Sequence, residues 1–336
     1  MNRRSVSPAL LAAALTAVLT AVPAAAAPLH HPHRDPAVVV GSAATLHPEG
    51  ATWDAARHRF LVGSVRHGTV DAVRPDGTTT RLVDDPALVS VIGLHADAAR
   101  GRVLAATGDL GVSVRSTPAT TRTLAGVGAY DLATGRRLFF ADLAAVAADG
   151  GPHLANDLAF GPDGTAYVTD TFAPVVYRIT PDGTASVLVR DARLAAPDGA
   201  VGLNGIVREG GTLVIGKSDD GTLWRVPIDH PAALARIPVD APAGALRHLD
   251  GMLRRSSGTI RAVTNSLGPD TRDADVVLRS EDGWRTARLA SLTPSVDRAV
   301  TAVTEGPGGS VYRLSGRLDL LFAGTYVDGF TLRRVA

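Results

Sequence analysis

The stretch "NDLAFGPDGTAYVTDT", residues 156–171, decides how this chain is read. Residues 158–160 are apolar, Pro162-Asp163-Gly164 is turn chemistry, and residues 166–169 are strand-like again. That order describes two antiparallel strands around a tight turn. The first strand opens on Asn156-Asp157, two residues of poor β-propensity at the start of an inner-looking strand. The reason for that polar pair is the functional question the sequence poses.

The same arrangement recurs along the chain. "EGATWDAARHRFLVGS" starts at Glu49, "IGLHADAARGRVLAAT" at Ile92, "NGIVREGGTLVIGKS" at Asn204, "DGMLRRSSGTIRAVTNS" at Asp250 and "TAVTEGPGGSVYRLS" at Thr301. With Asn156 these six starts are 43, 64, 48, 46 and 51 residues apart. Apart from one interval, that is the length of a four-stranded propeller blade. Third strands follow at 175–179 and 222–226, and a fourth at 185–189. The chain therefore reads as an all-β, six-bladed β-propeller. The long interval holds a Ser-, Thr- and Gly-rich insertion in blade two, over residues 108–128, on the axial face. The last repeat ends at residues 330–335 as a third strand, so the lone strand at 37–43 ("AVVVGSA") is expected to close that blade and protect its edge. Only residues 141–148 and 191–196 look helical.

Composition fixes the setting. Arg3 and Arg4 precede an apolar run at 9–22 and the small-residue stretch 24–27, the layout of a secretory signal peptide over residues 1–27. No apolar pair follows the arginines at the offset of the twin-arginine route, which favours general secretion. The run is too short for a comfortable membrane span. Residues 28–36, including "HHPH" at 30–33, read as a flexible lead-in, leaving 37–336 for the propeller. Removing Arg3 and Arg4 leaves a mature chain about one unit acidic, which gives no support for nucleic-acid or anionic-membrane partners. The expectation is a secreted, monomeric protein acting on a small molecule. With no cysteine in the chain, disulfides, thiolate metal sites and a Cys nucleophile are excluded. No G-x-S-x-G elbow is present either.

In a propeller the innermost strands of all blades begin around one end of a central axis. Residues about 50 apart in sequence thus converge there. Glu49, Asn156, Asn204 and Asp250 put two carboxylates and two amide oxygens at matching repeat positions, while Ile92 and Thr301 complete the set. Asn and Asp also cap turns at strand starts, but recurrence at four equivalent positions points to a shared ligand. The donors are hard oxygens, suited to Ca²⁺ first, with Mg²⁺, Mn²⁺ or Zn²⁺ as alternatives. Second-strand ends supply a further ring: Ser64, Asp170, Lys217, Asn265 and Ser315. Of these, Asp170 reads as a loop tie, and Lys217 as a solvated turn lysine or an anion anchor. His153 and His248 lie near ring residues in sequence, as polar rim groups or as cavity-facing bases. The repeated Pro-Asp-Gly at 75–77, 162–164, 181–183 and 197–199 is turn chemistry.

"EGATW", "NDLAFGPDGTAYVTDT", "GLNGIV" and "LDGM" together resemble the regucalcin/gluconolactonase (senescence marker protein) family of six-bladed propellers. That family is more distantly related to paraoxonases and squid-type diisopropyl fluorophosphatase. The resemblance runs over most of the mature chain and lies in the ordered Glu, Asn, Asn, Asp series. It implies that Glu49, Asn204 and Asp250 are metal ligands, and that Asn156 is a ligand or holds substrate or a water. It also implies Asp250 as general base in a metal-dependent hydrolysis of a lactone or ester. Where the sugar-lactone members carry a substrate-binding arginine, two positions before the first Asn, this chain has Leu154, which points to a more apolar substrate. The alternative is a non-catalytic propeller that binds a ligand or partner around a structural metal. A strictosidine-synthase-like propeller would lack the carboxylates, so Glu49 and Asp250 count against it.

Overall fold

The computed structural model describes residues 35–268 and 271–335, together with Met1. Residues 2–34, which hold nearly all of the expected signal peptide, the "HHPH" cluster and most of the expected lead-in, lie outside the described residues. Six mostly antiparallel sheets follow in chain order, one per repeat. Blade one is Pro48–Asp54, Arg59–Ser64, Thr69–Val73 and Thr79–Asp84. Blade two is Ser90–Asp97, Arg102–Gly108, Ala125–Asp131 and Arg137–Asp142. Blade three is Ala155–Phe160, Ala166–Asp170, Val175–Ile179 and Ala185–Arg190. Blade four is Leu203–Glu209, Thr212–Lys217, Thr222–Pro227 and Ala235–Ile237. Blade five is Leu249–Ser256, Thr259–Thr264, Ala274–Arg279 and Ala287–Pro294, with Val239–Asp240 added parallel to its outer strand. Blade six is Val300–Glu305, Val311–Ser315, Gly329–Val335 and, from the other end of the chain, Val38–Ser42.

Burial follows from this architecture. The second strand of blade one is buried almost throughout, whereas the outermost, Thr79–Asp84, is mostly open to solvent. Inner strands are covered on both faces by neighbouring blades, so they read as apolar runs. The core is a set of wedges between adjacent blades. Leu61, Val70 and Leu94 fill the first, for example, and Leu213, Ile215 and Val176 that between blades three and four.

The expected closure is present. Val38–Ser42 pairs antiparallel with Gly329–Val335, setting Gly41 opposite Phe330. The Phe330 ring lies so close over Gly41 that a Cβ there would fall 2.1 Å from it. The end of the lead-in is tied down too, since Tyr312 OH donates to the Pro36 carbonyl at 2.7 Å.

Several boundaries differ from the sequence reading. The insertion narrows to residues 109–124, because Gly126 and Gly128 belong to the third strand of blade two, where each packs against an aromatic ring. The helix expected at 141–148 is Leu143–Ala147, capped by Asp142. Residues 191–196 make only a 3-10 turn, Ala192–Leu194. A helix not anticipated, Leu318–Phe322, bridges the second and third strands of blade six. All four Pro-Asp-Gly sites are turns with the glycine at positive φ.

Candidate functional site

Every inner strand carries a register shift near its start, at 48/50, 91/94, 155/158, 203/206, 249/252 and 300/302. Glu49, Ile92, Asn156, Asn204, Asp250 and Thr301 fall in these six irregularities. An extra residue in one strand bends it and re-aims a side chain, and here each bulge belongs to the axial end of a blade. This is the physical answer to the polar pair at 156–157. A residue of poor β-propensity stands where the ladder is interrupted.

The residues that follow make the ring tight. A Cβ on Gly50 would sit 2.3 Å from the Ile92 carbonyl, on Gly93 2.2 Å from that of Asn156, on Gly205 2.4 Å from that of Asp250, and on Gly251 2.7 Å from that of Thr301. Between blades three and four Thr169 Oγ1 donates to the Asn204 carbonyl at 2.7 Å. Thr301 Oγ1 closes the circle by donating to the Glu49 carbonyl at 2.7 Å.

Glu49, Asn156, Asn204, Asp250 and Thr301 line both an open cavity and a narrower axial channel. The four residues singled out by repeat position are thus brought together. Asn156 is oriented by its Nδ2 donating to Thr171 Oγ1 at 2.8 Å, and Thr171 Oγ1 donates in turn to the Leu203 carbonyl at 2.9 Å. Asp250 Oδ2 accepts from Asn265 Nδ2 at 2.5 Å. The Asn204 Oδ1 atom is buried with no hydrogen-bond partner. An orphaned buried acceptor carries a desolvation penalty of about 1–3 kcal/mol.

The electrostatics point the same way. Burial, then repulsion from Asp250 and Asp157, push the Glu49 carboxyl well above the usual range. Burial and Asp157 push Asp250 up to about 8, against the pull of the Asn204 and Asn265 amides and the Gly251 N–H. Carboxylates crowded in a low-dielectric site resist ionisation unless a cation joins them. Among the described residues, no group of three or more His, Cys, Asp or Glu side chains has metal-holding geometry. The set here has a different composition, two carboxylates and two amides, and its unpartnered oxygen and uncompensated charge fit a hard divalent ion.

Other sequence candidates fall elsewhere. His153 does not face the cavity. It is buried, with Nδ1 2.7 Å from Asp170 Oδ2 and Nε2 2.8 Å from Asp149 Oδ1. Asp170 is the expected loop tie, accepting at Oδ1 from the Leu154, Phe172 and Ala173 N–H groups and at Oδ2 from Tyr177 OH. His248 does line the cavity. Burial and Arg247 hold it below the ordinary histidine range, so it is neutral near pH 7. Lys217 is not a solvated turn lysine. It is buried, and its Nζ donates to Asp219 at 2.5 Å and Asp220 at 3.2 Å, which leaves it no free charge for an anion. The sequence reading missed His95, whose Nε2 lies 2.8 Å from Asp157 Oδ1 at the channel side of the ring. Its position four residues into the second repeat was the available signal.

No family model and no curated protein matches this chain by sequence. Solved structures do match in fold. The major allergen Mala s 1 of Malassezia sympodialis aligns over 90% of this chain and 96% of its own, with a TM-score of 0.70 and 16% identity. A gluconolactonase from Xanthomonas campestris covers 89% of each chain at TM-score 0.58 and 16% identity. A calcium-binding regucalcin from Agrobacterium tumefaciens covers 87% of this chain and 92% of its own at 0.59 and 17%. The fold is a six-bladed propeller like that of the gluconolactonase and the regucalcin. The resemblance read from the "NDLAF" series is therefore matched at the level of architecture, and similarity at this identity speaks to the fold alone.

Proposed function

We propose that this protein is an exported, monomeric, metal-dependent hydrolase of small lactones or esters. The observation that carries the reading is the unpartnered Asn204 Oδ1 beside Glu49 and Asp250 at the floor of a cavity. Neighbours named as a gluconolactonase and a regucalcin support it. Glu49, Asn156, Asn204 and Asp250 would hold the ion, Ca²⁺ first, with Mg²⁺, Mn²⁺ or Zn²⁺ as alternatives. A divalent cation bound there supplies Lewis-acid polarisation of the scissile carbonyl.

The chain's own groups do the rest. Asn265 fixes Asp250 Oδ2, which leaves Oδ1 to take a proton from the attacking water as general base. Thr171 fixes the Asn156 amide, so its oxygen is presented to the ion, the substrate or that water. The apolar residues lining the cavity exclude bulk water from the reacting bond. Glu49→Gln and Asp250→Asn should each lower turnover of a lactone and aryl-ester panel by about 10²-fold or more. Unchanged turnover in folded variants refutes the reading.

A second reading is a binding propeller with a structural metal. It is favoured by the apolar Ile92 and Leu154 at positions lining the cavity. Chelated protein that stays folded but loses turnover argues against it. Metal-dependent stability without hydrolysis of any lactone in the panel argues for it.

A further inference from the structure

We propose that the cavity takes lactones or esters bearing a linear aliphatic chain, laid along one apolar wall built by the blade-two insertion and the Leu318–Phe322 helix. The claim rests on the hydrolase reading for the reacting bond and on the cavity alone for the chain.

The cavity has one continuous apolar wall. Val65, Ile92, Leu110, Leu154, Leu318 and Phe322 line it from blades one, two, three and six. Four of these form one contiguous buried cluster with Leu321, against which Leu110 and Val112 of the insertion pack. Ser218, His248 and Asn265 add polar groups from blades four and five, beside Val201 and Leu267, and Leu267 packs against the apolar cluster as well. Phe322, half-exposed at 46%, carries apolar surface from the interior out to the mouth.

The wall is built rather than incidental. Asp109 pins the insertion by accepting from Gly111 N–H at 2.7 Å, Ser116 Oγ at 2.5 Å and Thr120 Oγ1 at 2.7 Å. Ser113 Oγ donates to the Val89 carbonyl at 2.6 Å, and Arg115 Nη1 donates to three carbonyls of blade one and the link that follows it, including Asp85 at 2.7 Å. A segment held this firmly is a fixed lining. Among the described residues no Lys or Arg lines the cavity. An anionic or polyhydroxylated chain would set its polar groups against branched aliphatic side chains without partners, which is costly. An alkyl chain gains from the same surface.

The test uses the purified mature protein with Ca²⁺ added. γ-Lactones from γ-valerolactone to γ-dodecalactone are compared with an aldonolactone by kcat/KM. In parallel, linear alcohols of four to ten carbons displace the neutral fluorophore N-phenyl-1-naphthylamine. The expectation is a rise of about threefold in kcat/KM per methylene, the aldonolactone as the poorest substrate, and a flatter slope in Phe322→Ser. Hydrolysis that is flat or falls with chain length overturns the inference and leaves the hydrolase reading standing. Chain-dependent displacement, weakened in Phe322→Ser but without hydrolysis, supports the aliphatic wall and overturns the hydrolase reading. Absence of both effects overturns both.

Discussion

Asp170→Asn tests whether the site is held from behind. Asp170 is fully buried and uses both oxygens: Oδ1 takes three backbone N–H groups around the start of blade three, and Oδ2 takes His153 and Tyr177. Those backbone groups belong to Leu154, Phe172 and Ala173, which flank Asn156 and its partner Thr171. The amide keeps the size and can keep Oδ1, but its NH₂ cannot accept from His153 and Tyr177. Two bonds to a buried charge are lost, each worth about 1.5–3 kcal/mol, and His153 loses one of its two carboxylates. The expected destabilisation is about 3–5 kcal/mol, the usual cost of breaking a buried pair.

The pH dependence carries a sign as well. His153 is raised above its ordinary value, first by its hydrogen bond to Asp170, against burial, with Asp149 adding to the rise. A histidine with a raised folded pKa contributes stability fully below its unfolded pKa of 6.5 and loses it as pH rises through the folded value. Urea unfolding of wild type should therefore show declining stability from about pH 6.5 upward, and Asp170→Asn should shrink that decline. NMR titration of His153 should show its pKa falling in the variant. A loss under about 1 kcal/mol, or an unchanged His153 pKa, refutes the reasoning.

Four further perturbations follow, three at the ring and one away from it. Gly93→Ala places a methyl 2.2 Å from the Asn156 carbonyl; it should cost about 1–3 kcal/mol by overpacking and lower turnover. Gly211→Ala, with nothing within 4 Å of the added atom, should stay within about 0.5 kcal/mol in the same denaturation assay. Thr301→Val removes the hydroxyl that donates to Glu49, and should cost about 1 kcal/mol with weaker retention of the ion in equilibrium dialysis. Adding Ca²⁺ at about 100 times its dissociation constant should stabilise chelated wild type by about 2.7 kcal/mol, and Asp250→Asn by less. No thermal shift with Ca²⁺, Mn²⁺ or Zn²⁺ refutes the ring as a cation site.

Much of the architecture was legible in the chain because a propeller repeats it. Apolar strands, Pro-Asp-Gly turns and a polar start at Glu49, Asn156, Asn204 and Asp250 recur at blade length, and this alone indicates six blades and one axis. The missing fourth strand of the last repeat likewise called for residues 37–43, since an unpaired edge needs a partner. These are local signals multiplied by repetition.

What only the tertiary structure decided is burial and pairing, whether the partner lies near in sequence or far. Lys217 looks like a turn lysine until its side chain is found buried against Asp219 and Asp220. His153 looks like a rim base until Asp149 and Asp170 enclose it. Thr301 stands outside the four oxygen donors read from the repeat, yet its hydroxyl joins the Glu49 carbonyl across 252 residues to close the ring. The apolar wall of the cavity could not be read ahead either, because it draws on an irregular insertion and a five-residue helix that no repeat predicts. Periodicity sets which residues face the axis. Which of them find partners, and which oxygen is left without one, depends on distances that exist only once the six blades have closed.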